Sequence, residues 1–128
     1  MDARAMITEY YAALRAGEPL DPFFAVECPD DDSYVKFGIS EQLVGSDQIR
    51  AGLRSQTETT TDWSVTSSDL RVTQRDTHAW FSDAVSMAWT STETGHRYEF
   101  ETRWSGTLRR SDCCWQFVGM HVSTADEL

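Results

Sequence analysis

Lysine is nearly absent from this sequence: Lys36 is the only one, and the 11 basic residues face 21 aspartates and glutamates. The formal net charge of −10 leaves no basic stripe to neutralise phosphates or lipid headgroups, so neither nucleic acid nor a membrane is an expected partner. Cysteine is scarce as well. Cys28, Cys113 and Cys114 are odd in number, two of them adjacent, with no CxxC pair, which excludes a disulfide framework and a zinc site. They read as reduced, partly buried thiols of a cytoplasmic protein. No apolar run approaches the length of a membrane span, and Met1-Asp2-Ala3-Arg4 leads into a polar amphipathic segment, so no signal peptide is expected. Phosphate-cradling glycine loops, a Rossmann fingerprint, GxSxG and HExxH are all missing, and no metal or cofactor is expected.

Aromatic residues, by contrast, are plentiful. Five Trp, six Phe and four Tyr in a chain that is 40% hydrophobic supply a real core, and residues 1–128 read as one domain. Acidic surface, scarce lysine and abundant Ser and Thr suit a cytoplasm of high salt, a compositional hint of halophilic origin.

Met6, Ile7, Tyr10, Tyr11 and Leu14 recur at helical spacing, which predicts a helix over 2–16 ended by Gly17. A short second helix is expected over 19–26, anchored by Phe23 and Phe24, then a surface turn at Asp30-Asp31-Asp32. Residues 34–39 alternate as a strand, and Ser46 is the expected N-cap of a third helix carrying Ile49 and Leu53 inward. From there the period changes to two, in runs over 63–74, 77–91, 97–110 and 115–123 joined by short turns. Helices on one face of a curved, mostly antiparallel sheet make an α+β fold. Strands this long should bend or carry bulges.

Several short motifs then carry a family likeness: Ala79-Trp80-Phe81, Arg103-Trp104-Ser105, Arg109-Arg110, Trp115 and Met120-His121-Val122-Ser123, with Tyr10-Tyr11 and Val44-Gly45-Ser46-Asp47 upstream. Together they resemble the SnoaL-like domains of the nuclear transport factor 2-like superfamily and are similar to the calmodulin-dependent kinase II association domain. The resemblance implies a cone-shaped pocket between sheet and helices, and a homodimer through the outer sheet face. It departs in the cleft, where only Arg103 answers to the several arginines of the kinase-associated domains. The acids and bases of the ketosteroid isomerase and scytalone dehydratase relatives find no residue-by-residue match.

Asp83 shares a strand side with Phe81, Val85 and Met87, so alternation points its carboxylate inward, where a raised pKa would suit a general acid or base. The alternatives are a bulge that turns it outward or a structural pairing with Arg103. His121 shares a side with Trp115, Phe117 and Gly119 and is a candidate proton relay, or else a partner of Ser123 that stabilises the strand end or the dimer seam. Family analogy brings Arg103 into the pocket, whereas alternation turns it outward, away from Phe100, Trp104 and Leu108. Tyr10, Tyr11, Trp80, Trp89 and Trp104 are candidate pocket aromatics, against the plainer reading as core. His78, His96 and Asp126-Glu127 read as solvated surface.

The expected function is binding of a small organic ligand in the cone. Any catalysis would be cofactor-free proton transfer by Asp83 and His121, with Tyr10, Trp80, Arg103, Trp104 and Ser123 around the ligand. The alternative is a non-catalytic association module whose pocket is filled by Trp80, Trp104 and Phe117.

Overall fold

The computed structural model describes residues 1–26, 33–111 and 114–125. Helix α1, Ala3–Ala16, buries the face that carries Met6, Ile7, Tyr10, Tyr11 and Leu14. The Asp2 carboxylate accepts the Ala5 amide at 2.8 Å and caps its start. Gly17, with φ 70°, closes its end in the left-handed region, where a side chain would be strained.

The second helix expected over 19–26 is reduced to a 3-10 turn, Asp21–Phe23. The chain then runs extended, and the Ala25 amide donates to the Phe117 carbonyl at 2.9 Å, so pairing with a distant strand replaces further helical turns. Strands β1, Val35–Gly38, and β2, Glu41–Val44, form a tight hairpin whose second arm sequence patterning had missed. Helix α2 is Ser46–Thr59. Ser46 is its first residue and not its cap; Gly45 takes the cap position, and the Gln48 side chain accepts the Val44 amide at 3.0 Å.

Five strands follow: β3 Thr60–Ser67, β4 Arg71–Gln74, β5 His78–Ser91, β6 Arg97–Ser111 and β7 Cys114–Thr124. The run expected over 63–74 is two strands, both hydrogen-bonded to β5 and separated by residues 68–70. The sheet order is β2-β1-β7-β6-β5-β3, with β4 also on β5. All named pairs are antiparallel except β1 with β7, which makes the sheet mixed and the fold α+β.

Helix α1 lies against the inner face of this sheet. The Tyr10 ring is the hub, meeting Phe23, Phe117 and Trp104 edge-on at centroid distances of 5.4, 5.2 and 6.2 Å. Such pairs contribute about 0.5–1.5 kcal/mol each beyond the area they bury. Asp30-Asp31-Asp32, Cys28, Cys113 and Asp126-Glu127 lie outside the described residues. Cys114 is exposed, not partly buried. No helix among the described residues is long and apolar enough to cross a membrane.

Candidate functional site

Between α1, α2, the β1–β2 hairpin and the inner sheet face lies a cavity of about 320 Å³. One part of its wall is aromatic and apolar, with Tyr10, Trp63, Met87, Trp89, Trp104 and Met120, and α2 adds the uncharged polar side chains of Ser55, Gln56 and Thr59. The Trp104 indole N–H donates to Thr102 Oγ1 and the Trp63 N–H to Thr60 Oγ1, each at 2.9 Å, so both present rings and not donors to a ligand. Trp63 stacks on Trp89 with centroids 4.9 Å apart and planes 22° from parallel. A bulge places it there. The β3–β5 register shifts between Thr61 and Ser64, with Asp62 held at φ 53°, uncommon for a residue with a side chain.

One charged pair interrupts this lining. Lys36, only 5% exposed, reaches inward from β1 and forms an ion pair with Glu41 at the start of β2. The contact depends on Gly38: a Cβ there would stand 2.6 Å from Glu41 Cγ, so the missing side chain is the space into which Glu41 folds. Tyr10 completes the polar end. Burial pushes its phenol well above the ordinary tyrosine value, and the nearby Glu41 charge adds to the rise. Among the described residues its hydroxyl has no hydrogen-bond partner, yet it is not sealed off, so it opens on the cavity.

Asp83 does point inward and is 5% exposed, but its oxygens are already taken. Asp83 Oδ2 accepts Tyr11 Oη at 2.8 Å and Ser67 Oγ at 2.6 Å, and Oδ1 accepts the Asp69 amide at 3.0 Å. Neither expected alternative applies, since the carboxylate is not turned outward and does not pair with Arg103. Instead it ties α1 to the break between β3 and β4. Burial pushes the Tyr11 phenol up strongly, helped by its hydrogen bond to Asp83 and the charge there, with Arg15 opposing.

Tyr10 and Tyr11 thus keep their protons in the folded chain to higher pH than in the unfolded chain, where tyrosine ionises near pH 10. Their contribution to stability is complete below about pH 10 and is lost above it, as the unfolded state ionises first. Urea midpoints measured between pH 8 and pH 11 are expected to hold and then fall at the alkaline end, less steeply in Tyr11→Phe. A flat profile to pH 11 would contradict the burial of both phenols.

The remaining sequence candidates lie on the other side of the sheet. His121 is exposed, packing edge-on against Phe37 at 5.8 Å. The physical reason is a second bulge: Leu108 pairs with Phe117 but Thr107 with Gly119, so Val118 is an extra residue that inverts the strand's alternation. Trp115 and Phe117 therefore point inward with Met120 and Val122, while His121 and Ser123 face out. Arg103, directly across from Ser123, faces outward as alternation predicted, and not into the cavity as analogy did. Trp80 is also outside, 49% exposed, with the Arg75 guanidinium 5.4 Å from its ring centre. Of the seven candidates, the structure places only Tyr10 and Trp104 in the cavity wall. Trp89, expected from sequence as a possible pocket aromatic, lies there too, and the structure adds Lys36, Glu41 and Trp63.

This architecture, a curved mixed sheet closed over a cavity by N-terminal helices, is that of the nuclear transport factor 2-like proteins. A proposed dehydratase of that family from Streptomyces avermitilis superimposes with a TM-score of 0.83 at 14% identity, covering 97% of this chain and 94% of the other. A ketosteroid isomerase-like protein from Erwinia carotovora atroseptica gives 0.74 at 19% identity over 97% and 94%. A proposed calcium/calmodulin-dependent protein kinase II association domain from Xanthomonas campestris gives 0.75 at 17% identity over 98% and 86%. Identities this low establish the fold alone. Within that fold the SnoaL-like domain model matches residues 3–127, and the chain belongs to the SnoaL-like family. A comparison with curated protein sequences gives no match.

Proposed function

We propose that this SnoaL-like protein binds a compact, ring-bearing carbonyl compound in the inner cavity and transfers a proton on it without a cofactor. The observation that carries the reading is the Lys36–Glu41 pair, the charged groups in a cavity wall otherwise made of aromatic, aliphatic and small uncharged polar side chains. Buried ion pairs rarely repay their desolvation as stability, so a charged pair lining a cavity points to chemistry. A volume of about 320 Å³ is at the small end for ligand sites and suits one or two rings. Stacking on Trp63, Trp89 and Trp104 orients the ring and leaves its carbonyl oxygen at the polar end.

There, Glu41 takes a proton from the carbon beside the carbonyl. The Tyr10 hydroxyl and the Lys36 ammonium donate to the oxygen as negative charge develops on it. The dehydratase and isomerase-like descriptions of structural neighbours support this class of reaction. The open cavity also favours ligand binding over the association module, because Trp80 and Phe117 do not fill it.

The test is deuterium exchange at the α-carbon of a bicyclic ketone, followed by NMR. Glu41→Gln is expected to slow the protein-dependent rate by about 10²- to 10⁴-fold, the usual contribution of a positioned base, while His121→Ala leaves it unchanged. Equal rates for wild type and Glu41→Gln would remove the proposal.

A further inference from the structure

Lys36 does more in this setting than a hydrogen-bond donor requires. It is the only lysine in the chain, its side chain is 6% exposed, and the carboxylate it touches belongs to the neighbouring strand of the same hairpin. A lysine buried beside a carboxylate has two forms one proton apart: ammonium with carboxylate, and amine with carboxylic acid. The second carries the neutral lone pair that carbonyl chemistry needs.

We propose that Lys36 forms an imine with a small ketone or aldehyde bound in the cavity, a reading that rests on the cavity accepting a carbonyl compound.

The step balances within the residues present. The ammonium passes one proton to Glu41, and the Nζ lone pair attacks the carbonyl carbon while the C=O π pair moves to oxygen. That oxygen takes the proton from Glu41, and the nitrogen returns one of its own to the carboxylate. The carbon–oxygen bond then breaks as Glu41 delivers this proton to the departing hydroxyl, which leaves as water, and the nitrogen lone pair closes the C=N bond. One cation replaces another beside the same carboxylate, so the ion pair stabilises the iminium as it does the ammonium.

Tyr10, opening on the same polar end, donates to the carbonyl oxygen during the attack. The iminium draws electrons from its α-carbon far more strongly than a hydrogen-bonded carbonyl does, which makes the adjacent C–H acidic enough for Glu41 to remove. Lys36 and Glu41 would then act in sequence on one substrate, the lysine as covalent activator and the glutamate as proton carrier.

The sequence makes the test clean, because the chain has only two kinds of primary amine, Lys36 and its N-terminus. The full-length protein is incubated at neutral pH with 2-indanone and sodium cyanoborohydride, and the products are mapped by intact-mass and peptide mass spectrometry. The expected result is one adduct at Lys36, lost in Lys36→Arg, which keeps the positive charge beside Glu41, and formed at least tenfold more slowly in Glu41→Gln. An adduct confined to the N-terminus would overturn the proposal, as would Lys36 labelling no faster in the folded protein than in urea. Tryptophan fluorescence titration with the same ketone separates the two readings. Binding without a Lys36 adduct sinks the imine and leaves the cavity assignment standing, whereas no binding sinks both.

Discussion

Replacing Asp83 with alanine lowers the unfolding free energy by about 3–5 kcal/mol, because three donors aimed at one buried carboxylate lose their acceptor together. The Tyr11 hydroxyl is the costliest, being buried under α1, while Ser67 and the Asp69 amide lie nearer the edge of the sheet and can recruit water. The loss is expected to appear in urea denaturation at neutral pH as a lower midpoint. Ketone exchange, measured well below that midpoint, should keep most of its rate. A variant of undiminished stability that has lost exchange would instead return Asp83 to the chemistry.

The second large effect separates the cavity pair from its surroundings. Glu41→Gln leaves the Lys36 ammonium buried without its counter-charge and is expected to cost about 3 kcal/mol, the range for breaking a buried pair. Lys36→Met costs less, about 1–2 kcal/mol, since Glu41 is 31% exposed and can be rehydrated. Combining Lys36→Met with Glu41→Leu should recover stability to within about 1 kcal/mol of the parent, because two apolar side chains then replace two charges. The same double variant loses ketone exchange completely. Denaturation of the four proteins, read as a double-mutant cycle, gives the coupling directly. Additive losses with no recovery would mean that Lys36 and Glu41 do not meet inside the cavity.

How far the sequence was legible depends on where the alternation of strand residues is interrupted. On β5 it runs unbroken past Phe81, Asp83, Val85 and Met87, and the inward reading of Asp83 agrees with the structure. What the alternation does not carry is the identity of its partners, because Tyr11 and Ser67 lie 72 and 16 residues away in sequence. On β7 a single extra residue inverts the faces, and the one signal for it is Gly119, an isolated glycine inside a strand pattern.

The cavity pair was hidden differently. Val35, Phe37 and Ile39 look like the apolar side of β1, which would put Lys36 in solvent, yet Phe37 packs outside on His121 and Lys36 lies within. The available signal was the scarcity itself, a sole lysine set in a strand. The short hairpin and the split of 63–74 were equally hard to see. The first rests on a two-residue turn, and the second on a break held by the side chain of Asp83.

The bulge at Val118 also bears on how relatives of this chain diverge. Val118 has no partner on β6, so deleting it would leave Met120 and Val122 inside and His121 and Ser123 outside, whereas straightening the bulge with Val118 kept would exchange them. In that straightened register an imidazole and a hydroxyl would turn to the inner face while two apolar side chains moved to the outer surface, with no codon substituted. A one-codon insertion or deletion elsewhere on β7 that no bulge absorbs is therefore a route by which this scaffold can acquire or abandon a catalytic group in a single event, while deletion of Val118 is silent for the faces. Alignments that treat the last strand as ungapped would pair residues on opposite faces of the sheet and mistake a change of address for a change of chemistry.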